Sequence, residues 1–199
     1  MNPEPQSTQS SSGATIALAL ITSALLVLFL WNLIGKPGLP VSPPDYGNLP
    51  LEDGKGQRIN LTDYQGPIML HFFTTWCDQC ETMAPMLTAT SKAMSNDVQI
   101  VGVSLDLIPD FQLGEAKLEP GPRTVEVNQF VKQNGVDYPI LFDRDGKCAD
   151  VLDGYQVPVH VVFDSNMNML RRFTGKRSEE SLRAILRACV EEDRNRQGL

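Results

Sequence analysis

The chain has 199 residues, of which 42% are hydrophobic and 21% charged, the mixture of an ordinary globular protein. This composition excludes a fibrous protein, a wholly disordered chain and a protein with several membrane spans. The 17 basic and 24 acidic side chains give a net charge of −7. Because an acidic chain has little cationic surface to neutralise phosphates, we expect no nucleic-acid partner.

The N-terminal part begins with a polar segment and continues with an apolar one. Residues 1–13 are rich in Ser, Gln and Pro, which predicts a disordered tail. Residues 14–34 contain no charged side chain, and about 20 apolar residues suffice to cross a bilayer core. We therefore predict a transmembrane anchor. The alternative is a cleaved signal peptide. A signal peptide has a basic residue ahead of its apolar core and an A-x-A site after it, and this segment has neither.

A linker and one folded domain follow the predicted anchor. Residues 35–50 hold five prolines and three glycines, which predicts a semi-rigid spacer. The domain is predicted over residues 51–199. Lys36 is the basic residue nearest the anchor, and by the positive-inside rule it favours a cytoplasmic domain. A single lysine decides little, so we base the orientation on the chemistry of the domain.

The apolar patterns of the domain predict strands that alternate with helices. Strands are predicted at 57–61, 67–73, 98–104, 138–142, 159–164 and 169–173, and helices at 78–95, 124–133, 147–154 and from Ser178 onward. Residues 106–123 contain three prolines and two glycines and predict a long loop. This order, which ends in a hairpin and a helix, predicts an α/β fold with a mixed sheet.

Two cysteines stand at the junction between a predicted buried strand and a predicted helix, in the motif Trp76-Cys77-Asp78-Gln79-Cys80. Cys77 falls at the helix N-terminus, where free N–H groups favour a thiolate, the species that attacks a disulfide. Cys80, one turn further on, can resolve the mixed disulfide. The alternatives are half of a zinc site and a purely structural disulfide.

The other cysteines and histidines show no spacing typical of metal ligands, so we expect no metal site. Cys148 and Cys189 are predicted to be buried free thiols, as most unpaired cysteines are. A second disulfide between them remains the alternative.

These residues resemble the membrane-anchored, thioredoxin-like TlpA/ResA/CcmG proteins. The likeness begins in GQRINLTDYQGPIMLHFFTTWCDQCETMAPML and continues through QIVGVSLD, YPILFDRDGK and YQVPVHVVFD, so that it covers about residues 51–190. The combination of Trp-Cys-x-x-Cys, Pro85 five residues after Cys80, and Val157-Pro158 ahead of a strand carries the resemblance.

The resemblance implies a thioredoxin-like fold, a mixed central sheet flanked by helices and preceded by one transmembrane helix. In that layout, the helices that carry Cys148 and Cys189 would lie on opposite faces of the sheet, which argues against a disulfide between them. It implies a thiol–disulfide oxidoreductase that needs no cofactor beyond the Cys77–Cys80 disulfide. Pro158 would be a cis-proline facing the dithiol, and Trp76 part of the same site; an ordinary trans proline is the alternative. The partners would be disulfide-containing proteins, with apocytochrome c among them, and a membrane thiol reductant. The domain would lie on the extracytoplasmic side.

The sequence departs from the family at His71, where relatives often carry Asp or Asn, and at Met83, where ResA-like relatives often carry Glu. Strand alternation places His71 on one sheet face with Met69 and Phe73, and the family likeness places that face below the dithiol. A neutral imidazole there could take a proton from Cys80 and return it. The alternative is a core histidine bonded to a backbone carbonyl.

Two other functions compete with disulfide exchange. A peroxiredoxin-like peroxidase is suggested by Thr74 three residues before Cys77, but Leu70 stands where that motif has proline. A copper-binding or metal-delivery protein is suggested by the paired cysteines, whose spacing is one residue short of C-x-x-x-C. The C-x-x-C spacing favours the dithiol enzyme over both.

Overall fold

The computed structural model describes residues 25–26, 45–109, 111 and 123–198. The predicted tail 1–13, the anchor 14–34 apart from Leu25 and Leu26, most of the linker 35–50 and the centre of the loop 106–123 lie outside the described residues. Within the described ranges, no helix is both long and apolar enough to cross a membrane. The fold below is that of the compact unit of residues 44–199.

Strands and helices alternate along the described part of the chain. The strands are β1 (Leu51–Glu52), β2 (Arg58–Ile59), β3 (Ile68–Phe73), β4 (Gln99–Ser104), β5 (Ile140–Phe142), β6 (Val159–Phe163) and β7 (Met169–Thr174). The helices are α1 (Asp78–Ala93), α2 (Arg123–Gln133), α3 (Lys147–Leu152) and α4 (Glu179–Gln197). The predicted elements are confirmed, most of them to within two residues. β1 was not predicted, because a strand of two residues is too short to show the alternation of apolar and polar side chains.

The strands form one sheet in the order β2-β1-β5-β4-β3-β6-β7. β3 runs parallel to β4, and β4 parallel to β5, whereas β6 runs antiparallel to both β3 and β7. The predicted mixed sheet is therefore confirmed. Parallel neighbours need crossover connections, which here carry the helices over the faces of the sheet. β3 lies deep in the sheet, and all six of its residues are buried.

Apolar side chains cover both faces of the sheet. On one face, Leu70 and Phe72 of β3 pack with Cys148 and Leu152 of α3. Leu49, Leu51 and Leu61 belong to the same cluster. On the other face, Met69 packs with α1 and α4, and Phe73 packs with α1 and α2. The strand alternation that placed Met69, His71 and Phe73 together is thus confirmed.

The two remaining cysteines are free and buried, as predicted. Cys148 belongs to the cluster under α3, and Cys189 to the cluster under α4, on the opposite face of the sheet. The sheet therefore separates the two thiols, which excludes a disulfide between them within this fold. Burial raises the pKa of both thiols, so neither is a ready nucleophile.

Gly154 lies between α3 and Pro158, at a position where the packed core leaves no room for a side chain. A Cβ at this position would lie 2.8 Å from Cδ1 of Phe72 and 3.2 Å from the Cα of Ala149. We expect Gly154→Ala to lower the free energy of unfolding by about 1–3 kcal/mol, the usual cost of overfilling a packed core. Denaturant unfolding monitored by circular dichroism measures the change.

Gly54→Ala is the matched control, because the nearest atom to its added Cβ is Phe142 Cε2 at 3.9 Å. We expect this variant to be as stable as the parent chain. Equal stability of the two alanine variants would show that the segment before Pro158 is not tightly packed.

Candidate active site

The dithiol motif lies between the end of β3 and the start of α1, and its two cysteines form a disulfide. Cys77 and Cys80 are bonded to each other with Cα atoms 5.2 Å apart. Cys77 is the N-cap of α1, and its Sγ accepts a hydrogen bond from the backbone N–H of Cys80 at 3.2 Å. The sulfur thus takes the place that a serine or aspartate oxygen occupies at other helix starts. The same N–H group and the helix dipole stabilise a thiolate once the disulfide is reduced.

The two sulfurs differ in their access to solvent. Cys77 is partly buried, whereas the exposed fraction of Cys80 is 0%. Cys80 packs with Phe73 of β3 and with Phe130 of α2. Of the two cysteines, Cys77 therefore has surface that a second protein can contact, and Cys80 has none. This arrangement matches the attacking and resolving roles assigned from the position of each cysteine in the helix.

A buried carboxylate, which the sequence did not single out, holds the segment that leads to Cys77. Asp106 follows β4 and is 3% exposed. Its Oδ1 accepts hydrogen bonds from the Thr75 N–H at 3.0 Å and from the Thr75 hydroxyl at 2.7 Å. Its Oδ2 accepts one from the Ser104 hydroxyl at 2.8 Å. Through the two hydrogen bonds from Thr75, Asp106 fixes the backbone two residues ahead of Cys77.

Pro158 and Trp76 are the two other residues that the family likeness assigned to the dithiol site. The Val157–Pro158 peptide bond is cis, as the family likeness implied. Val157 packs into the cluster that contains Cys77 and Cys80. The Trp76 ring lies 6.0 Å from Phe111, whose ring lies 5.2 Å from that of Tyr155. These three partly buried rings form a row that begins at Trp76, the residue before Cys77.

The residues between the two cysteines connect the dithiol to a loop distant in sequence. The Gln79 Oε1 accepts a hydrogen bond from the backbone N–H of Lys176 at 3.3 Å, across 97 positions of the chain. Lys176 follows β7, so the loop between β7 and α4 borders the active site. The sequence contains no local signal for this contact.

His71 pairs with a second histidine that the sequence did not connect to it. The two residues lie opposite each other on β3 and β6, and the His71 Nδ1 is 3.2 Å from the His160 Nε2. The alternative of a backbone carbonyl partner is therefore wrong for Nδ1. Within the described residues, no hydrogen bond joins His71 to either sulfur of the disulfide. The ring stacks on Phe73, which itself packs against Cys80.

The interior keeps both imidazoles uncharged at neutral pH. Burial, with a smaller contribution from His160, lowers the pKa of His71 well below its usual 6.5. Burial likewise lowers the pKa of His160 to about 4; the backbone carbonyl of Phe173 opposes the shift and Arg177 adds to it. Both rings are therefore neutral at pH 7, and a neutral imidazole has one ring nitrogen with a free lone pair.

Among the residues that the structure describes, no group of three or more His, Cys, Asp or Glu side chains could hold a metal ion.

Comparisons with known proteins agree with this site. The model of the AhpC/TSA family matches residues 44–172. The thiol-disulfide oxidoreductase ResA of Bacillus subtilis (strain 168) is 29% identical over 169 residues, which cover 84% of this chain and 86% of that protein.

Two solved structures share the fold. StoA from Bacillus subtilis matches with a TM-score of 0.54 and 20% identity, over 73% of this chain and 98% of that one. A thioredoxin-like protein from Aeropyrum pernix matches with a TM-score of 0.60 and 18% identity, over 71% and 89%. The chain therefore belongs to the AhpC/TSA family, with a thioredoxin-like fold, and is a thiol–disulfide oxidoreductase whose redox-active pair is Cys77 and Cys80.

Proposed function

We propose that this enzyme is tethered to a membrane by residues 14–34, faces an extracytoplasmic compartment, and in its reduced form reduces disulfides of partner proteins. One observation carries the proposal on chemistry: Cys77 caps α1 and is only partly buried, while Cys80 is fully buried. A pair arranged in this way can engage one external sulfur at a time. The disulfide of the partner is the electron acceptor, and the dithiol is the donor.

The reaction consists of two exchanges that balance without a further reagent. The Cys77 thiolate attacks one sulfur of the partner disulfide, forms a bond to it and releases the other partner sulfur as a thiolate. Cys80 then loses its proton, and its thiolate attacks Cys77 Sγ. This step closes the Cys77–Cys80 disulfide and releases the second partner sulfur. Two electrons have moved from the dithiol to the partner.

The proposal on substrates rests on the family likeness and on the apolar segment 14–34. Apocytochrome c before haem attachment is a substrate that fits a reductant in an oxidising compartment. Each turnover leaves the enzyme oxidised, so a thiol reductant must restore it. We propose that this reductant is a membrane thiol carrier, because the tether keeps the domain close to the membrane.

Thiol exchange accounts for the site better than the alternatives. Thr74 belongs to the motif that suggested a peroxiredoxin-like peroxidase. Its hydroxyl is fully buried and has no hydrogen-bond partner among the described residues. Leu70, at the position of the peroxidase proline, is buried in the cluster on the opposite face of the sheet from Phe73. The Cys77–Cys80 disulfide leaves neither sulfur available as a metal ligand until it is reduced.

Trapping of the mixed disulfide tests the chemistry. With Cys80→Ser, the second exchange cannot occur, so we expect partner proteins to stay covalently bound to Cys77. Non-reducing electrophoresis followed by mass spectrometry would identify them. Cys77→Ser combined with Cys80→Ser is the matched control and should capture nothing. Equal capture by the control would show that Cys77 is not the attacking residue.

Protease accessibility tests the topology. If the domain is extracytoplasmic, protease added to intact spheroplasts of a host that expresses the full chain should degrade the domain. Spheroplasts lysed before treatment serve as the control for protease activity. Full protection in intact spheroplasts, with degradation after lysis, would place the domain in the cytoplasm and contradict the proposed orientation.

We further propose that His71 takes the proton that Cys80 must lose before it can attack. Cys80 is fully buried, so its proton cannot pass directly to bulk water. His71 lies on the same face of β3 as Phe73, which packs against Cys80, and its imidazole is uncharged at neutral pH. Reduction of the disulfide frees the Cys80 thiol as the proton donor.

Replacement of the imidazole tests this role. We expect His71→Phe to slow closure of the Cys77–Cys80 disulfide by about 10²-fold at neutral pH, the lower end of general acid–base contributions. Formation of the mixed disulfide, measured by stopped flow in the Cys80→Ser background, should be unchanged. Met69→Leu is the control on the same face of β3. If closure in His71→Phe has the parent rate from pH 5 to 9, His71 is only structural.

A further inference from the structure

A buried aspartate reaches from the end of β4 to the segment that connects β3 with the dithiol. β3 and β4 are parallel, and their last residues, Phe73 and Ser104, lie opposite each other. The backbone N–H of Leu105 still donates to the Phe73 carbonyl, at 3.0 Å. One residue further on, Asp106 is 3% exposed and accepts hydrogen bonds from both the N–H and the hydroxyl of Thr75. The side chain of Asp106 thus connects the two strands beyond the point where their backbone pairing ends.

The carboxylate is itself held from the β4 side. The Ser104 hydroxyl donates to its Oδ2 at 2.8 Å, and the same hydroxyl oxygen accepts the backbone N–H of Asp106 at 3.2 Å. The Thr75 N–H, 3.0 Å from Oδ1, also lies 3.2 Å from Oδ2. Both carboxylate oxygens are therefore engaged, as an acceptor with several lone pairs allows. The position of Thr75 is in this way tied to the end of a central strand.

Thr75 lies in a tight turn that ends at the attacking cysteine. The Cys77 N–H donates to the Thr74 carbonyl at 3.3 Å, which closes a turn over residues 74–77. On its other side Cys77 is attached to α1, where its sulfur accepts the N–H of Cys80. Cys77 is thus held by α1 from one side and, through Thr75, by Asp106 from the other.

The support from Asp106 does not depend on the redox state of the dithiol. While the disulfide exists, the S–S bond itself fixes Cys77 relative to Cys80. In a mixed disulfide that bond is absent, Cys77 is attached to a second protein, and Cys80 must attack from a buried position. The bonds from Thr75 to Asp106 involve no sulfur atom, so opening the disulfide does not break them.

We propose that Asp106 is a positioning residue, which through Thr75 keeps Cys77 within reach of Cys80 when the two are not bonded to each other. In this step the Cys80 thiolate attacks Cys77 Sγ, the intramolecular S–S bond forms, and the partner sulfur leaves as a thiolate. Fixed placement of two reacting groups accelerates such a step, and a misplacement of about 1 Å can slow it by about 10²-fold. The inference rests on the two-step exchange proposed above, but not on the membrane tether, the substrates or His71.

A second aspartate provides a matched control at the other end of β3. Asp193 of α4 is 4% exposed and likewise accepts hydrogen bonds from the N–H and the hydroxyl of one residue, Ser165, both at 2.8 Å. Ser165 follows β6, whose Phe163 lies opposite Ile68, the first residue of β3. The dithiol follows the last residue of β3. Replacement of Asp193 therefore removes the same kinds of bonds at the opposite end of the strand from the dithiol.

Stopped-flow kinetics with dithiobis(nitrobenzoate), a chromogenic disulfide, test the role of Asp106. The reduced full chain releases one nitrothiobenzoate when Cys77 attacks and a second when Cys80 closes the disulfide. The first phase depends on the probe concentration and the second does not, and Cys80→Ser, which lacks the second, assigns them. We expect Asp106→Ala to slow closure by about 10-fold or more and to change attack much less, because only closure requires two protein sulfurs to meet.

Three further variants separate positioning from a general loss of stability. Asp106→Asn keeps an oxygen that can accept from Thr75 and should recover most of the closure rate. Asp193→Ala should close at the parent rate. If Asp106→Ala does not fold, Thr75→Val takes its place: it removes only the hydroxyl that donates to Asp106, and we expect it to slow closure by a smaller factor.

Several results would overturn the positioning role. They are a parent closure rate in Asp106→Ala or, where that variant does not fold, in Thr75→Val; equal slowing in Asp106→Ala and Asp193→Ala; and equal slowing of attack and closure in Asp106→Ala. A parent chain with no second phase would overturn the two-step exchange, and this inference with it. Variant rates that differ from a two-phase parent therefore report on Asp106 alone.

Discussion

The complete burial of β3 is the constraint on which the rest of the structure depends. All six residues of this strand are buried between β4 and β6 and under helices on both faces. Burial of a large apolar side chain contributes about 1.5–3 kcal/mol, so the strand anchors the domain. Its carboxyl end fixes where α1 begins, and the start of α1 fixes the dithiol.

Because β3 is completely buried, its single histidine, His71, needs a hydrogen-bond partner inside the protein. A polar group left without a partner in such a position costs about 1–3 kcal/mol. The sheet register removes part of this cost, because His160 lies opposite His71 on β6 and bonds to it. The ring of Phe73 stacks on His71, and the ring of Phe173 stacks on His160. Two uncharged imidazoles are thus accommodated in a region where a charged group would be far more costly.

Hydrogen bonds hold the segment around the dithiol in place, while Cys77 remains partly exposed. Asp106 fixes Thr75, the Cys80 N–H bonds to the Cys77 sulfur, and Gln79 is tied to the loop after β7. None of these contacts covers Cys77, which remains accessible. A sulfur held in this way has little freedom to lose when it attacks a partner disulfide, which is the general advantage of a preorganised site.

The sequence by itself determined the local features: the buried runs of β3, β4 and β6, the start of α1 at Asp78, the Ser178 cap of α4 and the exposed–buried order of the two cysteines. Each of these depends on residues within one or two turns, or on one strand period, so the pattern is readable in the chain. The free, separated thiols Cys148 and Cys189 also followed, once the layout of the helices was implied by the family likeness.

Only the tertiary structure decided the contacts that give the site its character. His71 and His160 are 89 positions apart, Thr75 and Asp106 are 31 apart, and Gln79 and Lys176 are 97 apart. Each pair meets because strand register and loop placement bring it together, and no local spacing records that register. The two-residue strand β1 was hidden for the same reason, since it exists through its pairing with β2 and β5 rather than through its own pattern.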